Sequence, residues 1–248
     1  MGSRTVAGQA YTRTTMNFIP YDLSHGALAE VGPEAFATRL LAWNGRRLAL
    51  AAGGTHLGFV WTGTATLSCA AGTFTLGAGM YFAVPGEGSV TGDGAGVVAT
   101  REGFGGLFSI GGPIEASGRL RYIDGCTDSL LVPPVVCGDP CLNALYFPPG
   151  VDQTEHTHPS ARVGLVVSGS GECVTPDGAS PLAPGLAFVI PADAPHRFRT
   201  AGDRLVVVAY HPDSDVGPTH EAHPMITRTI VGGVPASRIE ALHTREQP

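Results

Sequence analysis

The chain of 248 residues contains no lysine: its basic residues are all arginine, 15 of them against 21 acidic residues, for a net charge of −6. No basic stripe runs along it, so the electrostatic footprint of a nucleic-acid-binding protein is missing. No apolar run approaches the roughly 18 residues that a membrane-spanning helix requires. The first residues do not have the charged-then-apolar order of a secretion signal. The expectation is therefore a soluble, cytoplasmic protein with neither nucleic acid nor membrane as partner. Helical periodicity is also scarce. Only 33–43 and 236–243 have the pattern of about two turns each, and neither carries a motif. Cysteine is sparse and odd in number, five residues at 69, 126, 137, 141 and 173, which suits thiols better than a disulfide framework. Cys137-Gly-Asp-Pro-Cys141 resembles half of a zinc site, but no second pair follows it.

What the chain has in abundance is turn residues, with Gly 35 and Pro 20. The segments between them are short and β-branched, the pattern of an all-β protein. It also repeats itself. Gly58-Phe-Val-Trp-Thr-Gly63 aligns with Gly164-Leu-Val-Val-Ser-Gly169, and the same ungapped offset matches Gly72 with Gly178, Leu76 with Leu182, Gly79 with Gly185, Phe82 with Phe188 and Pro85 with Pro191. Two copies of one β unit are expected, divided as residues 1–118 and 119–248, each long enough for a core of its own.

Chemistry is concentrated in the second copy. His156-Thr-His158 places two imidazoles two residues apart, which on a strand point to the same face. His196 follows 38 residues after His158, beyond a run that reads as a buried strand entering a Pro-bounded turn. Three neutral imidazoles with open positions are the ligand set of a catalytic metal and not of a closed structural one. They suit Zn, Fe, Ni and Cu alike. The matching positions of the first copy are Leu50, Ala52, His56 and Val90, so one divalent metal per chain is expected. Cys126 and Cys141 precede the histidine segment closely enough to approach such a site. Phe198, two residues after His196, should face inward as an apolar wall against the substrate. Tyr146 is a candidate proton donor. In the segment after the last strand, His220, Glu221 and His223 are candidates for a fourth ligand or an acid/base, or else solvated groups of an exposed loop.

The spacing around these histidines resembles that of the cupin superfamily. Gly150, five residues, His156-x-His158, three residues, Arg162, six residues and Gly169 match the first cupin motif; Gly185, five residues, Pro191, four residues and His196 match the second. The resemblance implies two tandem cupin barrels of double-stranded β-helix (jelly-roll) type with few short helices, a bicupin whose active metal lies in its C-terminal half. Three departures stand out. Arg162 occupies the place of the family's metal-binding glutamate, Asp193 that of a glycine, and Thr200 that of an asparagine. At that position Arg162 could hold a substrate carboxylate through two parallel hydrogen bonds, or turn outward to Glu155, Asp152 or Glu172.

Cupins with three histidines and no glutamate resemble the thiol, acetylacetone-type, gentisate and salicylate dioxygenases. That resemblance implies an iron(II)-dependent dioxygenase of a small organic acid, with Zn, Ni or Mn as the other metals. Two alternatives remain. One is a metal-dependent isomerase, cyclase or lyase in which the ion polarises a carbonyl while Tyr146 or a tail histidine moves a proton. The other is a non-catalytic small-ligand-binding barrel. A small carboxylate is the expected partner, and a homodimer is left open.

Overall fold

The computed structural model describes residues 16–33, 37–213, 230–235 and 238–242. The segments between glycines become strands almost throughout. The first half holds β1 (Ile19–Tyr21), β2 (Gly26–Val31), β3 (Thr38–Asn44), β4 (Leu48–Leu50), β5 (Gly54–Thr62), β6 (Thr64–Cys69), β7 (Gly72–Gly77), β8 (Tyr81–Pro85), β9 (Gly88–Thr91), β10 (Ala95–Glu102) and β11 (Ser109–Gly111). The second half holds β12 (Leu120–Arg121), β13 (Thr127–Val132), β14 (Cys141–Phe147), β15 (Arg162–Gly169), β16 (Gly171–Thr175), β17 (Gly178–Leu182), β18 (Ala187–Ile190), β19 (Arg197–Arg199) and β20 (Leu205–His211). A short hairpin, β21 (Ile230–Val231) with β22 (Val234–Pro235), follows.

Each half folds as two sheets closing on a core. The six-stranded order β11-β8-β5-β10-β3-β2 faces the four-stranded β4-β9-β6-β7, and the seven-stranded order β1-β18-β15-β20-β14-β13-β12 faces the three-stranded β17-β16-β19. The repeat read from sequence is a structural one. In both barrels an inward phenylalanine lies over a glycine of the neighbouring strand: a Cβ at Gly58 would sit 2.1 Å from the Phe82 ring, and one at Gly164 the same 2.1 Å from Phe188. Only glycine fits there. One edge strand crosses between the halves. β1 precedes the first barrel in sequence but pairs with β18 of the second, Ile19 opposite Val189, while β11 pairs with β8 of the first. A division at residue 118 is thus crossed by β1.

The two large sheets pack back to back. Leu57, Phe59 and Val97 of one meet Val163, Leu165 and Val208 of the other in a shared core, where each side chain taken from water contributes about 1.5–3 kcal/mol. Three polar contacts span this junction: Trp61 Nε1 donates to Val167 O at 3.0 Å, Thr38 Oγ1 lies 3.3 Å from the Tyr210 hydroxyl, and Arg101 Nε donates to Pro212 O at 3.1 Å.

One local expectation is corrected. Of the stretch 33–43, the described residues from Thr38 onward do not make helical turns: Thr38–Asn44 is the strand β3, paired on both sides with β10 and β2. Near the chain's end a single 3-10 turn, Glu240–Leu242, lies within the second stretch for which turns were expected.

Candidate metal centre

The three expected histidines converge. Their nearest ligand atoms all lie within 4.8 Å of one another, and the ring centroids are 5.0 Å (His156–His158), 4.6 Å (His156–His196) and 5.2 Å (His158–His196) apart. The route is not the one expected. His156 and His158 sit on an extended loop between β14 and β15 and not on a regular strand; the loop is pinned by two isolated bridges, Asp152 with Arg199 and His156 with His196, and in the second the two backbones exchange hydrogen bonds of 3.0 Å each. The side chains are aimed by a second layer of bonds. His156 Nδ1 lies 2.8 Å from Thr154 O and His196 Nδ1 2.9 Å from Ala194 O. Each Nδ1 therefore carries the proton, which leaves the Nε2 lone pair for a metal.

Both other motif departures are accounted for locally. Asp193 adopts φ 58°, a left-handed conformation open to glycine and tolerated by aspartate, and its N–H donates to His158 O at 2.7 Å. Thr200 ties the histidine loop down: its Oγ1 donates to Pro148 O at 2.6 Å and accepts from Val151 N–H at 3.0 Å, while its own N–H donates to Val151 O at 2.8 Å. Gln153 adds a further tie, its Oε1 accepting from Phe198 N–H at 3.2 Å.

Burial, with smaller contributions from Arg162, His196 and His156, holds the His158 imidazole down at about 3. His196 is held at about 4, again by burial first, with the Ala194 carbonyl acting in the opposite direction. Both rings are neutral at physiological pH, the state in which imidazole ligates. The donor set and the aimed lone pairs therefore fit a divalent metal with open coordination positions.

Arg162 is buried, 6 % exposed, at the start of β15, and it lines the same cavity as the three histidines. Its Nη1 donates to Ser160 Oγ at 2.8 Å and Ser160 O at 3.1 Å, which anchors the guanidinium. Two of the acids that an outward Arg162 was to meet have other partners: Asp152 pairs with Arg197 at 2.8 Å, and Glu172 with Arg199. Phe198 faces inward as expected, its ring 6.1 Å from that of His196 and edge-on to Phe147 at 5.2 Å.

Tyr146 is a correction. On β14 the inward residues are Leu145 and Phe147, so Tyr146 points to the opposite face of the sheet and packs in the core shared by the two barrels. It lines a separate cavity with Arg204 and Pro148, and not the one holding the histidines. His223, with His220 and Glu221, lies outside the described residues, as does His243. All five cysteines are thiols. Cys126 is in the apolar core of the second barrel and Cys141 pairs across strands with His211, but neither lines the histidine cavity. Cys137 and Cys141 join no metal-binding cluster among the described residues.

Sequence reasoning passed over His211. It ends β20 and faces the cavity, its ring 6.3 Å from that of His158. The signal available was strand alternation: His211 is two residues beyond Ala209, which also faces inward.

The first barrel has no counterpart site. Leu50 and Val90, at the positions matching His156 and His196, are 3 % and 0 % exposed within its apolar core. His56, at the position of Arg162, is fully bonded: Nδ1 lies 2.7 Å from Thr100 Oγ1 and Nε2 2.9 Å from Ala51 O.

Compared with known proteins, residues 145–212 match the model of the cupin domain. The second barrel is a cupin domain. The chain shares the cupin fold with a cupin 2 conserved barrel domain protein from Leptotrichia buccalis, at a TM-score of 0.54 and 12 % identity over 80 % of this chain and 90 % of that one. Salicylate 1,2-dioxygenase from Pseudaminobacter salicylatoxidans is similar at a TM-score of 0.54 and 12 % identity over 70 % of each chain. Oxalate decarboxylase from Bacillus subtilis, with Mn(II) centres, is similar at a TM-score of 0.51 and 12 % identity over 83 % of this chain and 80 % of that one. No curated protein matches the chain by sequence. Among the described residues no helix is long and apolar enough to cross a membrane.

Proposed function

We propose that the protein is a metal-dependent enzyme of small organic acids, and that it acts as an iron(II) dioxygenase with His156, His158 and His196 as ligands and Arg162 as the substrate's anchor. The observation that carries this reading is the charge of the cavity. Among the described residues, those lining it include the Arg162 guanidinium and four histidines but no aspartate or glutamate. Imidazoles bring no negative charge to a divalent ion, so ion and guanidinium together leave the cavity strongly positive. A carboxylate is the complement, and a planar guanidinium held rigidly by Ser160 is the group best suited to grip one. Apart from Tyr122 and Gln153 the rest of the described lining is apolar, with Phe188, Ile190 and Phe198 as its walls, as in other small-molecule sites.

Cavity size supports a short acid. About 30 Å³ is available among the described residues, room for about two water-sized groups. A bound iron(II) ion would supply electron transfer between the organic acid and O₂. The chain's own residues would orient the acid, keep bulk water out and hold the ligand imidazoles in their neutral form. Salicylate dioxygenase among the similar structures favours the oxidative reading, and oxalate decarboxylase extends it to acids of small size; both are analogies of fold.

A non-redox isomerase, cyclase or lyase needs a proton-moving group in the cavity, and with Tyr146 on the other face of its sheet the described residues offer His211 for it. The deciding experiment is metal analysis of freshly purified protein together with O₂ consumption against a panel of short carboxylic acids and thiols. O₂ uptake coupled to loss of an acid supports the dioxygenase. Turnover without O₂ points to the non-redox enzyme, and binding without turnover to a ligand-binding barrel.

A further inference from the structure

His211 stands at the cavity without a task in this scheme. The cross-strand register shows what it adjoins. β15 and β20 run antiparallel with Val163 opposite Tyr210 and Gly164 opposite Ala209, so Arg162, one residue before Val163, is set opposite His211, one residue after Tyr210. Residues directly opposite on an antiparallel pair point to the same face. Arg162 is in turn paired with Ile190 on the other side, and His211 with Cys141. The two polar side chains are thus neighbours in one inward row, and both line the cavity.

His211 is not part of the ligand cluster. The three histidines whose ligand atoms gather within 4.8 Å do not include it, and its ring lies beyond that of His158 at 6.3 Å. Nor is it tethered as two of the three ligands are. His156 and His196 each spend Nδ1 on a backbone carbonyl, whereas no such bond orients His211 among the described residues. An imidazole in either neutral tautomer still offers one N–H donor, and here that donor adjoins the fixed guanidinium.

We propose that His211 is the second arm of a carboxylate clamp whose first arm is Arg162. This rests on the proposed anchoring of an acid by Arg162 and deepens it. The guanidinium grips both carboxylate oxygens, and one of them also accepts a hydrogen bond from the His211 ring. The substrate class that follows is a short aliphatic carboxylate, entering head first. Its carboxylate fills the space between β15 and β20, and its adjoining carbon is directed toward the open positions beside His156, His158 and His196. An amide or ester of the same size lacks the charge that Arg162 requires and is rejected.

The test uses the full chain loaded with Zn(II), so that binding is read without turnover, and acetate as probe with acetamide as neutral control, both titrated by calorimetry. Wild type should bind acetate and not acetamide. His211→Leu should weaken acetate binding by about 10-fold, the scale of one hydrogen bond to a charged group, with one Zn(II) per chain retained. His211→Gln, which keeps an N–H donor, should stay within about 3-fold of wild type. The clamp is refuted if His211→Leu binds acetate as wild type does, if His211→Gln is as weak as His211→Leu, or if either variant loses its metal, which would make His211 a ligand. Arg162→Leu separates the two levels. If it still binds acetate normally, the anchoring by Arg162 fails. If it abolishes binding while both His211 variants are unaffected, the anchoring stands and the second arm alone falls.

Discussion

The two barrels are built from the same strands around different interiors. In the first, Leu50, Val90, Val60 and Phe82 fill the space, and the one histidine retained, His56, bonds to Thr100 and Ala51. In the second, the corresponding space holds four imidazoles, a guanidinium and a cavity of about 30 Å³. A repeat that is filled contributes packing to the junction, and one left partly hollow and polar can bind. The comparison teaches that the fold tolerates either interior. The barrel closes through its sheet bonds and apolar contacts, and the histidine constellation is an addition to that scaffold.

The metal count tests this contrast most strongly. One ion per chain is expected by elemental analysis, and His156→Ala, His158→Ala or His196→Ala should each remove most of it while circular dichroism shows the β fold intact. Two tightly held ions per chain would break the comparison outright, and an unfolded metal-free protein would mean that the centre is structural. Next in size is the filled core. Phe82→Ala should cost about 3–5 kcal/mol of stability in denaturant unfolding with metal content unchanged, since Phe82 packs over Gly58 in the first barrel. A loss of metal in this variant would show that the barrels are coupled through their shared core.

Arg162→Leu should lower kcat/KM by the equivalent of about 2–5 kcal/mol, the cost of cutting one partner of a desolvated ion pair, with metal content near normal. Arg162→Lys should recover little, because a point charge does not replace a planar two-bond grip. His56→Leu, at the matching position of the first barrel, should leave kinetics untouched. The effect of pH should be smaller and graded. His158 and His196 are held at about 3 and about 4 in the folded protein, below the roughly 6.5 of an unfolded chain. Between these values the unfolded chain binds more protons, so the stability of the metal-free protein is fully present above about 6.5 and is lost as pH falls through about 4. The melting temperature of metal-free protein should therefore drop between pH 7 and pH 4, less steeply in His196→Gln. The smallest effect is expected at Asp193, where replacement by glycine should shift stability by no more than about 1 kcal/mol, because the left-handed backbone there already suits both residues.

How much of this was legible depended on where each residue stood. The histidine triad was readable because its spacing is local to two short segments, and the emptiness of the first barrel because the repeat has no gaps across the matched positions. The fate of Tyr146 was not. All seven residues of Cys141–Phe147 are buried, and a strand covered on both faces carries no alternation from which to tell inside from outside. Thr38–Asn44 was mistaken for helical turns because its apolar residues fit either period over so short a stretch; pairing with two neighbouring strands decides in favour of the sheet. The two histidines of His156-Thr-His158 did converge, but on a bridged loop, since the bond to His196 and not a continuous strand sets their direction.

By itself, the sequence determined the β architecture, its duplication and the three histidines that gather in one cluster: period-two patterning, glycine placement and imidazole spacing are properties of neighbouring residues. Tertiary structure alone decided which face Tyr146 takes, that β1 joins the sheet of the second barrel, and that Arg162 and His211 share one cavity row. These depend on the register between strands far apart in the chain, and a slip of one residue in that register would turn each side chain to the opposite face.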